Sequence, residues 1–290
     1  MNTPSRKLGI RRILVALDIS PCSLAALQTA AQLAARMGAQ LSGLFVEDIT
    51  LLRLADSPYA REILYPSAVE VPLSRTSMES SLRAQSEQAR KALAVAAQRA
   101  RVEWSFRTVR GQVTEELLAA AGEADLLALG RAGWSLGSQS RVGSTALKLV
   151  TSSVPVLLLP EHGISSEMHL AVYYDDSPTA DRALLAAAQL AGVGVKGITV
   201  LIPAADRHST KRLRSQVDLL LQASGPTVRY RQIDPNDKWS LLRALKEEPS
   251  GILVLGSRES VRKVQTLESL LREIEIPLLL LGDWAEPEAE

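Results

Sequence analysis

The sequence predicts an α/β fold built twice: two tandem repeats of a five-stranded parallel sheet flanked by helices. Three observations carry this. β-rich runs alternate with helical runs along all 290 residues, the pattern of parallel sheets covered by helices. A segment starting at Arg12, RILVALDISPCSLAALQTAAQLA, returns at His169 as HLAVYYDDSPTADRALLAAAQLA. Both halves also close alike, with VPVLLLP from Val154 and IPLLLLG from Ile276. In the gapless repeat Val15 matches Val172, Asp18 matches Asp175, and Ser20-Pro21 matches Ser177-Pro178. Ala30–Ala34 matches Ala187–Ala191. Chance supplies alanines, but not Asp-x-Ser-Pro at the same offset.

The elements follow in order. Arg12–Asp18 is a β-rich run ending in an acid. Ser20-Pro21 opens a helix, with Ser as cap and Pro in the first turn, where its missing N–H costs nothing. Leu24, Leu27, Ala31 and Ala34 recur at helical spacing, and Gly38 stops the helix. Gln40–Val46 reads as the second strand and Met78–Ala100 as a long amphipathic helix. Val102–Arg110, Asp125–Gly130 and Val154–Leu159 read as strands, with helices at Thr114–Ala121 and Ser144–Thr151. The second unit predicts strands near 169–174, 196–202, 226–233, 251–256 and 276–281. The polar stretch EHGISSE divides the chain into residues 1–161 and 162–290. Residues 48–77 have no counterpart in the second unit and read as a surface excursion with a short helix. A lid or docking element is the sharper reading, since long connections in compact domains are often functional.

Composition excludes several classes. At 46% hydrophobic residues the chain can build packed cores, so wholesale disorder is excluded. Lys plus Arg number 33 against 32 Asp plus Glu, which leaves no global field to draw in nucleic acid or anionic lipid. Aromatics are 4%, too few for base-stacking platforms. No apolar run approaches the roughly 18 residues that span a bilayer, and the start lacks a signal-peptide pattern. Cys22 is the one cysteine, which excludes a disulfide framework or a Cys-based zinc site. His162, His169 and His208 are scattered without metal-ligand spacing. A soluble cytoplasmic protein without nucleic-acid or membrane partners is expected.

Open α/β sheets bind ligands beyond the carboxyl ends of their strands, where strand order reverses. The first strand ends at Asp18, the fourth at Gly130 in DLLALGRAGWSLGSQSRVGSTALKLV. Gly130, Gly133 and Gly143 let backbone approach a bulky anion. Gly143-Ser144-Thr145 then opens a helix, whose free N–H groups suit phosphate. A nucleotide is the ligand this arrangement predicts, with Asp18 across the cleft accepting hydrogen bonds from adenine or ribose. The loop is not a Walker A motif, because no Gly-Lys-Ser/Thr follows. It is not the dinucleotide fingerprint, because the glycines follow the fourth strand. Arg131 and Arg141 flank the loop, Lys148 follows it, and Trp134 lies inside it.

The chain resembles the universal stress proteins in tandem form, over essentially its whole length. The motif Gly-x2-Gly-x9-Gly-Ser/Thr, which marks their nucleotide-binding branch, stands here as Gly130, Gly133, Gly143 and Ser144. The opening VALDISPCS is similar to the family's first strand and acid. The resemblance implies strand order 3-2-1-4-5, the adenine nucleotide alpha hydrolase-like arrangement, with ATP in the cleft. It implies that Asp18 and the backbone at Ala16 and Val46 meet adenosine, and that Gly130, Gly133, Gly143, Ser144 and Thr145 meet the phosphates. Mg²⁺ could accompany them, with no dedicated carboxylate site apparent. Ala146 departs from the family, which often has a hydroxyl there. The family's last strand commonly pairs across a dimer, which implies an internal pseudo-dimer here and leaves a homodimer open.

The second unit keeps Asp175 and Gly256, but position 259 is Glu and no glycine follows until Gly282. One competent site, in residues 1–161, is therefore expected. With no water-activating base or arginine finger, binding rather than catalysis is expected, though the family includes members that hydrolyse ATP slowly. The expected function is an ATP-binding stress or regulatory module whose nucleotide state alters association with a protein partner. The alternative is a non-nucleotide dimeric scaffold. An ATP pyrophosphatase would need a Ser-Gly-Gly-type loop after the first strand, where this chain has Asp-Ile-Ser-Pro.

Overall fold

The computed structural model describes residues 9–64, 69–131, 148–149, 154–163, 169–191, 197–221, 227–237, 239–247, 251–256 and 273–281. Its strands are β1 (Arg12–Ala16), β2 (Gln40–Asp48), β3 (Arg61–Leu64), β4 (Val69–Pro72), β5 (Trp104–Gly111), β6 (Leu126–Gly130) and β7 (Val156–Leu159). They continue as β8 (Leu170–Tyr173), β9 (Ile198–Pro203), β10 (Val228–Ile233), β11 (Ile252–Leu255) and β12 (Leu278–Leu280). The helices are α1 (Pro21–Met37), α2 (Ile49–Ala55), α3 (Arg75–Ala100), α4 (Val113–Ala121), α5 (Pro178–Ala191), α6 (Arg207–Leu221) and α7 (Ser240–Glu247).

Ten strands form one continuous sheet, in the order β10-β9-β8-β11-β12-β7-β6-β1-β2-β5. Numbered within its own half, each set of five runs 3-2-1-4-5, the order the resemblance implies. All pairs in the sheet are parallel except β12 with β7, which are antiparallel with Leu279 opposite Leu157. The last strand of each half thus meets the other, and the sheet runs unbroken across the junction. Both strands are buried along their length. Their uniformly apolar sequences fit strands covered on both faces.

Helices cover both faces. One core joins α1, α3, α5 and α6 to the sheet through residues such as Leu27, Leu93, Leu184 and Val217. The opposite core packs α4 and α7 through Leu117, Ala120, Leu241 and Leu245. The opening helix forms as its sequence dictates. Ser20 caps α1 and accepts from Ser23 N–H, Pro21 takes the first turn, and Gly38 at φ 66 ends it. Full burial of an α1 side chain such as Leu27 is worth roughly 1.5–3 kcal/mol.

Two expectations change. β1 ends at Ala16 rather than Asp18, because the chain turns at Ile19, which has φ 64. The excursion at 48–77 holds α2, as expected of a short helix, but also the antiparallel hairpin β3–β4. Asp56 on this excursion pairs with Arg75 at the start of α3, at 2.6 Å. Among the described residues, no helix is long and apolar enough to cross a membrane.

Candidate functional site

Strand order reverses at β1, which has β2 on one side and β6 on the other. Beyond the carboxyl ends of β1 and β6 lies the crevice where open α/β sheets take ligands. β2 outruns β1: its pairing with β1 stops at Leu44, whereas its pairing with β5 continues to Asp48. Gln40 N–H donates to Arg11 O at 2.8 Å, and Leu44 O accepts from Leu17 N–H at 2.9 Å. Backbone groups of even-numbered β2 residues therefore face β1. Val46, the next in that series, presents its N–H and C=O to the space that β1 has left. Ala16 is the half-buried final residue of β1.

Asp18 sits in the β1–α1 loop. Its Oδ1 accepts from Ser20 N–H at 2.9 Å and from Ser20 Oγ at 2.6 Å. Ser20 Oγ in turn accepts from Ser23 N–H at 3.2 Å. The second half repeats the device. Asp175 Oδ1 accepts from Ser177 N–H at 3.2 Å and Oγ at 2.6 Å, and Ser177 Oγ caps Ala180 N–H at 3.2 Å. The intervening residue has positive φ in both, 64° at Ile19 and 65° at Asp176. A β-branched residue there is strained, so the turn is held by these hydrogen bonds rather than by local preference. The motif Asp-x-Ser-Pro is thus first a loop-and-cap unit. Asp176, at this positive-φ position, pairs with Arg212 at 2.9 Å.

Gly130 ends β6 against the first turn of α1. A Cβ there would lie 2.7 Å from Ser23 N and 2.8 Å from the Cys22 carbonyl carbon. Gly256 directly follows β11, and a Cβ there would come within 2.3 Å of Thr179 backbone. These glycines are required by strand–helix approach. Valine at Gly130 would therefore disturb the fold itself, not only a ligand.

Arg131 follows directly. Its N–H donates to Leu159 O at 2.8 Å, and its guanidinium donates to Ile274 O in the other half. Burial pushes that guanidinium below the usual arginine range. Among the described residues its side chain serves the contact between halves. Cys22 is half-buried beside Gly130. Lys148 is helical and exposed.

The structure thus brings Ala16, Asp18, Val46 and Gly130 to one rim of the sheet. Gly133, Gly143, Ser144 and Thr145 lie outside the described residues, as do Trp134, Arg141 and Glu259. No group of three His, Cys, Asp or Glu side chains suited to a metal ion occurs among the described residues.

The model of the universal stress protein family matches residues 9–160. The curated proteins yield no match. Among solved structures, a universal stress protein from Archaeoglobus fulgidus superposes with a TM-score of 0.72 at 18% identity, covering 94% of this chain and 98% of its own. A putative universal stress protein from Pseudomonas aeruginosa gives a TM-score of 0.57 at 13% identity, with 95% of each chain covered. A universal stress protein solved in complex with cAMP covers 52% of this chain and 98% of its own, at 22% identity and a TM-score of 0.35.

Proposed function

Because the chain belongs to the universal stress protein family, we propose that it is an ATP-binding regulatory module whose nucleotide state sets its association with a protein partner. The observation that carries this reading is the position of Gly130. It closes β6 beside the β1–α1 loop, at the reversal of strand order, and it opens the run that continues through Gly133, Gly143, Ser144 and Thr145. Asp18, with the backbone at Ala16 and Val46, would hold adenosine, while the glycine run and its two hydroxyls would hold the phosphates. Val46 supports this, since its N–H and C=O face the rim where β1 has ended. Mg²⁺ would arrive with the phosphates rather than occupy a carboxylate cage. The reading divides the chain at 161/162, with the intact motif in residues 1–161 and a degenerate one in 162–290. It places the protein in the cytoplasm and assigns it binding rather than turnover.

The chain's part in the mechanism is selective affinity. Nucleotide can bias the partner equilibrium only through contacts that differ between two states. The test is mass spectrometry of ligand released from freshly purified protein, with calorimetric titration of ATP into the emptied sample. One site per chain, lost in Gly143→Val, is expected. Two equivalent sites would sink the asymmetry, and no binding would sink the ATP reading.

One observation favours the alternative, a nucleotide-free scaffold. Asp175 makes the same bonds as Asp18, so the acid has structural work in either half. A chain that takes up no nucleotide yet keeps its partner with Gly143 replaced would establish the scaffold.

A further inference from the structure

A second concavity lies at the opposite rim of the first half, at the amino ends of β1, β2 and β5. Its origin is the length of α4. Leu117 and Ala120 of that helix pack on Leu14, Leu44 and Leu127, but the helix spans only nine residues, Val113–Ala121. The sheet continues past it toward the amino ends. Register places Arg12 beside Gln40, Ser42 beside Ser105, and Arg107 beside Leu44. These side chains share the α4 face, because alternate residues of a strand point the same way. The result is a cavity of about 330 Å³ whose polar lining is Arg12, Gln40, Ser42, Ser105, Arg107 and Glu123, with Leu14, Phe106, Ala120 and Ala124 completing the wall.

Its chemistry is that of an oxyanion receptor. Ser105 Oγ donates to Ser42 Oγ at 3.1 Å, so two hydroxyls stand together on its floor. Arg107 reaches Glu123 Oε2 at 3.2 Å. Arg12 donates to the Glu123 backbone carbonyl at 2.9 Å and has no carboxylate within ion-pair distance among the described residues. Asp125 Oδ2 is engaged by the backbone, accepting from Arg11 and Arg12 N–H at 2.8 and 2.9 Å, so among the lining side chains two guanidiniums face the one carboxylate of Glu123. The second half makes the contrast. His169, at the position of Arg12 in the repeat, bonds Thr199, at the position of Ser42, at 3.0 Å, and Thr199 is fully buried. There the protein fills the polar spot with its own side chain. In the first half Arg12 is drawn to Glu123 and the space stays open.

We propose that this cavity is a binding site for a small metabolite bearing a phosphate or carboxylate group, separate from the nucleotide crevice. Guanidinium forks and clustered hydroxyls match the oxygens of either group. The volume is at the lower limit of small-molecule pockets, about 300–1,000 Å³, which suits a phosphomonoester or dicarboxylate of a few carbons.

The test is an amide NMR titration of the full ¹⁵N-labelled chain, with inorganic phosphate and with succinate, at ionic strength held constant with chloride. Saturable shifts at Arg12, Ser42 and Ser105, with a Kd of about 1 mM or tighter, are expected. Arg107→Gln should weaken binding by about tenfold, and Ser105→Ala should weaken it too. Both positions are exposed, and unchanged thermal midpoints verify the fold of each variant. A response to phosphate alone assigns a phosphorylated ligand, and a response to succinate alone a carboxylate. The proposal is overturned if neither probe gives saturable shifts there, if shifts are confined to the carboxyl-end residues Asp18 and Gly130, or if both variants bind as the unaltered chain does.

Discussion

A methyl group at Gly130 has nowhere to go. It would press on backbone of α1 at 2.7–2.8 Å, and backbone in a capped first turn yields little. Gly130→Val is therefore expected to lower stability by about 1–3 kcal/mol or more, the cost of overpacking, measured by urea denaturation. Loss of ATP binding in that variant would say nothing about phosphate, which is why Gly143 is the better probe. Asp206 offers a second test, on α6. Its carboxylate accepts from Ser209 N–H at 2.8 Å and Oγ at 2.9 Å, and the backbone bond foremost holds it below the usual carboxylate range. A depressed folded pKa gives stability that is present above the unfolded value, about 3.9, and lost as pH falls through the folded one. Asp206→Ala should thus lower the thermal midpoint at neutral pH, by a margin that shrinks once pH falls below about 4. A margin independent of pH would show that the cap acts without its charge.

The elements differ in how far sequence alone betrays them. α1 was legible to the residue, because Ser20, Pro21 and Gly38 each act within one turn of the helix end. Strand order in each half follows from alternating strands and helices together with the family resemblance. The hairpin β3–β4 was not legible: Ile63 and Val69 are both exposed, so no buried face imprints an alternation. Nor was the polar cavity, which depends on the register of three strands and the length of a helix from elsewhere in the chain. Of the candidate site, Ala16, Asp18, Val46 and Gly130 lie along one rim of the sheet, where strand order reverses. The bonds from Ser20 to Asp18 lie within Asp-x-Ser-Pro itself, where the sequence reading assigned the acid to a ligand. Long α3 carries its own prediction. Leu93 is fully buried against the sheet, so Leu93→Ala should cost about 2–5 kcal/mol by chemical denaturation. A cost under 1 kcal/mol would mean that α3 is loosely docked.

At the scale of the molecule, the junction of β7 with β12 decides the architecture. β7 is apolar and buried, and without the second half it would present a bare edge, the usual template for strand pairing. The outer edges are different: β5 carries Arg107 and Arg110, and β10 carries Arg229 and Arg231, charges that discourage further strands. Residues 1–163 expressed alone are therefore expected to dimerise through β7, giving twice the fragment mass in light scattering. Pro155 and Leu159 carbonyls face β6, so the N–H of Leu158 faces the junction, and Leu158→Pro should return that fragment to a monomer. A monomeric unaltered fragment would show that the edge finds cover without a partner strand.

The same junction has a genetic consequence. When two identical chains pair, each substitution is made twice, and a residue that spoils one pocket spoils both. Joining the two halves in one reading frame removes that coupling. Glu259 can then stand where the first half has Gly133, and His169 can fill the spot that Arg12 leaves open, without either change being copied into the other half. Two inherited copies of one design are free to become two different instruments, held in a fixed ratio of one to one by the peptide bond between them.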